Sequence, residues 1–176
     1  MPSSYQAPTR ADKQKKKEHR TVSQSQRSNM SVSSSTVQKL LDTKGTDIFS
    51  IQPQDTLAQA VNALSEKRIG ALVVTDEHGK LTGILSERDI VRKLAVTPGR
   101  TLPQRVEEVM TSKVQTCDPD EPLMTVLRRM TEGRFRHMPV VAHGELVGMV
   151  TIGDVVHFRL KELELEALQL KQMIVG

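Results

Sequence analysis

The chain has 176 residues, 37% hydrophobic and only 2% aromatic, so its core must be built from Leu, Val, Ile and Met. A single cysteine, Cys117, excludes an internal disulfide and a thiolate metal cluster and suits a reducing compartment. The net charge of +4 resides at the N-terminus: residues 1–36 carry seven Lys/Arg against two acids, and the remainder carries eighteen against nineteen.

Residues 1–36 hold nine serines, several glutamines and the run Lys13-Gln14-Lys15-Lys16-Lys17, with almost no apolar residues. Such a segment buries too little surface to offset its ordering entropy, and it is expected to be a disordered, solubilising tail. A nucleic-acid or anionic-surface contact is a lesser reading of its charge. Asp12 and Glu18 interrupt any amphipathic arginine face, which argues against a mitochondrial transit peptide. The compartment expected is therefore cytoplasmic, with the mitochondrial matrix as the alternative. A start at Met30, whose following residues run directly into the folded part, is a second expectation that an intact mass would test. No apolar run reaches the roughly 20 residues of a bilayer span, and no secretory h-region is present.

Beyond the tail, the sequence repeats itself. Ile48-Phe49-Ser50-Ile51-Gln52-Pro53 falls on Val114-Gln115-Thr116-Cys117-Asp118-Pro119 at an offset of 66, and Leu57, Val61 and Leu64 fall on Leu123, Leu127 and Met130. Gly70-Ala71-Leu72-Val73-Val74 is matched to His137-Met138-Pro139-Val140-Val141 at 67, and Gly79–Ser86 to Gly144–Thr151 at 65. The drop of two is assigned to Asp76-Glu77, in a turn where length changes are cheap.

Each copy reads as a short strand ending at Pro53 or Pro119, then a helix from near Asp55 or Glu121. A hairpin follows, Leu72–Thr75 with Leu81–Leu85, or Pro139–Ala142 with Leu146–Val150. A second helix starts at Ser86 or Thr151. The order is β-α-β-β-α twice, an α+β fold. The expected divisions are the tail at 1–36, a first unit at 37–100, a second at 101–162 and a helical extension at 163–176. Ala95 to Arg105, with Pro98, Gly99 and Pro103, is the connecting segment. Val156, Leu160, Leu163, Ala167, Leu170 and Ile174 recur at spacings of 4, 3, 4, 3 and 4, a heptad seam. That stripe either packs on its own unit or makes a dimer contact, and the second is favoured because the helix outlasts the unit.

After each second hairpin strand comes the same turn: Gly83-Ile84-Leu85-Ser86-Glu87-Arg88-Asp89 and Gly148-Met149-Val150-Thr151-Ile152-Gly153-Asp154. Ser/Thr-x-x-Asp is first of all a capping box. Its recurrence at matched places adds a second role. A helix N-terminus offers free N–H groups and a positive dipole end to a phosphate, and an adjacent acid can take two ribose hydroxyls.

With these turns, the Pro-x-x-x-Leu helices and the Arg136-His137-Met138-Pro139-Val140 strand, residues 37–162 resemble a tandem pair of CBS domains, a Bateman module. The resemblance implies two units about a pseudo-twofold axis, two clefts between them, and a homodimer formed through helices. It implies adenosyl ligands: AMP, ADP, ATP, NAD(H) or S-adenosylmethionine. By that resemblance Asp89 and Asp154 take ribose, Ser86 and Thr151 lie beside phosphate, and Arg136 and His137 reach phosphate across the interface. Adenine would lie near Ile48, Ala71, Val114 and Met138. In the first copy the counterpart of Arg136-His137 is read as Ile69-Gly70, so the clefts are expected to be unequal, with Arg88 as a substitute cation. His137 alone reads equally as a buried structural histidine, His78 and His143 as exposed turn residues, and Cys117 as a small buried hydrophobe.

No nucleophile, base and orienter converge, and no metal-ligand set is seen, so neither catalytic nor metal residues are assigned and no cofactor is required. The reading is a stand-alone regulatory module that senses an adenine nucleotide and modulates a separate protein. Two alternatives are a protein-interaction scaffold whose turns only cap helices, and a nucleic-acid-associated protein acting through the tail.

Overall fold

The computed structural model describes residues 35–175; residues 1–34 of the expected tail, the Met30 start and residue 176 lie outside them. The last two residues assigned to that tail pack against the second repeat: Ser35 is buried and Thr36 bridges Pro122. The elements are α1 (Val37–Lys44), β1 (Ser50–Ile51), α2 (Leu57–Lys67), β2 (Ala71–Thr75), β3 (Leu81–Ser86) and α3 (Glu87–Val96). A 3-10 turn (Val106–Glu108), α4 (Leu123–Gly133), β4 (His137–Ala142), β5 (Glu145–Thr151) and α5 (Ile152–Val175) follow. The first repeat is a three-stranded sheet, with β1 parallel to β2 and β2 antiparallel to β3. The second keeps the β4–β5 hairpin, and its first strand shrinks to one parallel bridge, Cys117 with Val140.

The strand registers correct the repeat alignment. Ala71 pairs with Ser86 and Leu72 with Leu85; His137 pairs with Thr151 and Met138 with Val150. Ala71 is therefore the counterpart of His137, Leu72 of Met138 and Gly70 of Arg136, at a constant offset of 66. The hairpin turns differ by one residue, not two. A one-residue slip exchanges the faces of a strand, and the burial confirms the corrected register. Leu72 and Val74 lie in the first core, Met138 and Val140 in the second. Ala142 and Glu145 enclose a two-residue turn in which His143 and Gly144 both have positive φ (53° and 84°), a backbone suited to the twist of a hairpin.

Two cores form, and the segment ahead of each repeat packs into the core of the other. Val37, Leu40 and Leu41 of α1 join Met130, Met138, Val140 and Val150 of the second repeat. Val106 joins Leu57, Leu64, Leu72 and Leu85 of the first. The backbone repeats the exchange. Val37 N donates to Glu121 O (3.0 Å), Gln38 N to Pro119 O (2.8 Å) and Leu123 N to Ser35 O (2.8 Å). In the other half, Val106 N donates to Asp55 O (2.8 Å), Glu107 N to Pro53 O (3.0 Å) and Leu57 N to Gln104 O (2.9 Å). These two straps satisfy backbone groups at the helix starts that would otherwise be orphaned.

Cys117 is 2% exposed and faces the second core, as expected. Burial first, with Glu121 next, pushes its thiol up to about 12. The thiolate is the reactive form, so the folded chain should resist iodoacetamide at pH 8 and label stoichiometrically in denaturant. Fast labelling of the folded chain would contradict the burial.

Candidate functional site

The two repeated turns have the local geometry expected of them. Ser86 is the N-cap of α3; Asp89 N donates to Ser86 Oγ (3.4 Å), while Ser86 N and Ser86 Oγ donate to Asp89 Oδ2 (3.0 and 2.5 Å). At the start of α5, Asp154 N donates to Thr151 Oγ1 (3.1 Å) and Thr151 N to Asp154 Oδ2 (2.9 Å). Capping thus fixes the rotamers of both acids.

Their surroundings differ. Ser86 and Asp89 open onto a cleft of about 440 Å³ between the repeats, within the range of small-molecule sites. The second repeat closes it with Val114, Arg136 and His137. Five cations line it, Arg88, Arg92, Lys113, Arg134 and Arg136, against the acids Glu87 and Asp89. Arg88 spans the cleft, donating from Nη1 to Arg134 O (2.8 Å), so this guanidinium is partly committed to the helix C-cap opposite.

Thr151, Asp154 and Ile48 do not line this cleft. Asp154 Oδ2 receives the Lys44 ammonium at 2.8 Å. Burial pushes the Asp154 carboxyl up, but the hydrogen bonds from Lys44 and Thr151 and the Lys44 charge more than offset it, and its pKa lies below the ordinary value. Lys44 thus occupies Asp154 Oδ2 beside the cap amide, and a ribose using that oxygen would have to displace the ammonium. Of the residues assigned to adenine, Val114 lines the cleft. Ala71 is buried in the sheet beside Ser86, and Met138 is fully buried in the second core, with no face on the cleft.

His137 sits where the repeats meet. A Cβ placed on Gly70 would come within 3.2 Å of its Cε1 and 3.3 Å of its Nε2. Gly70, the counterpart of Arg136, thus leaves room for the imidazole of the other repeat. Burial lowers the His137 pKa, and Asp154 and Glu87 only partly oppose it. A histidine depressed in the folded state binds fewer protons there than in the unfolded chain. Its stability is whole above the unfolded value of about 6.5 and is lost as pH falls below it. Urea unfolding at pH 7.5 and 5.5 should show that loss, and His137→Gln should flatten it; an equal slope in the variant would remove His137 as the cause.

Arg92, Lys113 and Arg134 were not singled out from the sequence. Arg92 had a signal, since it lies one helical turn beyond Arg88 on the same face of α3. Lys113 immediately precedes Val114, which was singled out.

The CBS-domain family model matches residues 42–96 and 106–161. The chain belongs to the CBS-domain family. Among solved structures it is similar to the CBS-domain protein ATU1752 from Agrobacterium tumefaciens (40% identity, TM-score 0.70, covering 71% of this chain and 99% of that one). It is similar too to the CBS domain pair of protein MJ0100, solved in complex with 5′-methylthioadenosine and S-adenosyl-L-methionine (29% identity, TM-score 0.64, 73% and 98%). A mitochondrial CBS domain-containing protein of Arabidopsis thaliana, CBSX3, is 36% identical over 126 residues, 69% of this chain. The match spans 61% of that relative's length. The two CBS repeats and the long C-terminal helix expected from the sequence are thus in place, and no helix among the described residues is long and apolar enough to cross a membrane.

Proposed function

We propose that this CBS pair is a regulatory module that binds a phosphorylated adenine nucleotide in the cleft of Ser86 and Asp89 and transmits its occupancy to a separate protein. One observation carries the reading: a capped hydroxyl–carboxylate pair at the start of α3 converges with five cations in a cavity of nucleotide size. Asp89 would take the ribose hydroxyls. The first N–H groups of α3, with Arg136, Lys113 and Arg92, would hold phosphate. Val114 and Ile84 would supply aliphatic contact to the base, because the cleft offers one aromatic side chain, Phe135. The MJ0100 pair, solved with adenosyl ligands, supports the adenosine part; the cation excess favours AMP, ATP or NAD(H) over an uncharged nucleoside. The Lys44–Asp154 pair argues for one nucleotide per chain, in the cleft of the first turn.

Calorimetric titration of the full chain with AMP, ATP, NADH, S-adenosylmethionine and 5′-methylthioadenosine tests this. The expected result is a stoichiometry of one, with phosphorylated ligands tighter than 5′-methylthioadenosine and weakened by salt. No heat with any ligand, in protein first shown to be free of copurified nucleotide, would leave the scaffold reading in its place.

A further inference from the structure

The last core contacts of α5 are Val155 and Phe158, yet the helix runs on to Val175. One side of this projecting part faces the strap ahead of α1: Ser35 Oγ donates to Glu162, which also holds Arg159 of its own helix (3.0 Å). The heptad seam of Val156, Leu160, Leu163, Ala167, Leu170 and Ile174 lies about a third of a turn from Glu162 and is exposed throughout, Val156 at 43% and Ile174 at 83%. The repeat therefore does not cover the stripe, as one expectation had it. Leu165 and Leu168, three residues apart, make a shorter exposed apolar pair on another face.

The flanking charges decide what covers the seam. With Leu160, Ala167 and Ile174 at position a and Val156, Leu163 and Leu170 at d, Arg159 and Glu166 occupy g, and Glu164 and Lys171 occupy e. In a parallel pair of identical helices each g residue meets the next e residue of the partner. Arg159 then faces a second Glu164, and Glu166 a second Lys171, both attractive. In the antiparallel pair centred on the same seam, Glu164 meets Glu164 and Glu166 meets Glu166, both repulsive. We propose that α5 is a parallel two-stranded clasp that joins two copies of this chain. The proposal is independent of the nucleotide reading. Arg159, now held by Glu162 and Glu166 of its own helix, has partly exposed pairs of modest worth to exchange.

The test uses the full chain carrying Ile174→Cys, with copper-phenanthroline as oxidant. In a parallel clasp the two new thiols lie side by side, whereas the antiparallel arrangement holds them about 27 Å apart. Buried Cys117 does not compete. A disulfide-linked dimer is expected, and Leu163→Glu with Leu170→Glu should abolish it and raise the dissociation constant by about 100-fold or more in sedimentation. Lys171→Glu should weaken association and Glu166→Lys in the same chain should restore it. Absence of the disulfide, its persistence in the Leu163→Glu, Leu170→Glu chain, or failure of the charge exchange to restore association overturns the proposal.

Discussion

Asp89→Asn is expected to weaken nucleotide binding by roughly 10- to 100-fold, while Asp154→Asn leaves it unchanged. Asparagine can still hydrogen-bond the ribose hydroxyls and loses only the charge assistance, about 1.4–2.7 kcal/mol in all. Asparagine keeps an oxygen for the Ser86 amide, so α3 stays capped and the fold changes little. Asp154 loses only a partly exposed pair with Lys44, worth about 0–1 kcal/mol. Calorimetry on both variants beside the parent chain reads the difference directly. Equal losses would mean that the Lys44 pair opens readily and that both clefts take ligand.

Leu41→Ala should cost about 2–5 kcal/mol in urea unfolding, with an unchanged denaturant slope. The residue stands ahead of the first repeat, yet it is 2% exposed in the core of the second. Its two methyls press on Gly148 of β5, where an added Cβ would lie 2.9 and 3.0 Å from them. The location of the damage is the sharper readout. Amide exchange should quicken in β4 and β5 before β2 and β3; the reverse order would contradict the crossed packing of α1.

The duplication and both capped turns were legible because each carries fixed marks: prolines, glycines and a hydroxyl three residues before an acid. The slip in alignment arose where such marks are missing. All five residues of β2 are buried, so the run has no polar alternation to set its register, and hydrophobic matching accepts 67 as readily as 66. The straps were invisible for another reason. Their apolar side chains, Val37, Leu40, Leu41 and Val106, and their backbone bonds, Val37 to Glu121 and Val106 to Asp55, find partners far along the chain, which no local pattern encodes. The Lys44–Asp154 pair joins residues 110 apart, and no local pattern announces it. The same slip made Gly70 look like a lost histidine, when it is the space into which His137 fits.

The crossed straps have a consequence for how such a chain can be divided. A cut in the connecting segment between α3 and Gln104 gives two fragments, and each leaves with the strap of the other. Neither fragment holds a finished core, and each carries the piece its counterpart lacks. The two halves are thus obligate complements: mixed together they have the parts to reassemble, and alone each exposes an apolar groove shaped for a short segment beginning near Ser35 or Gln104.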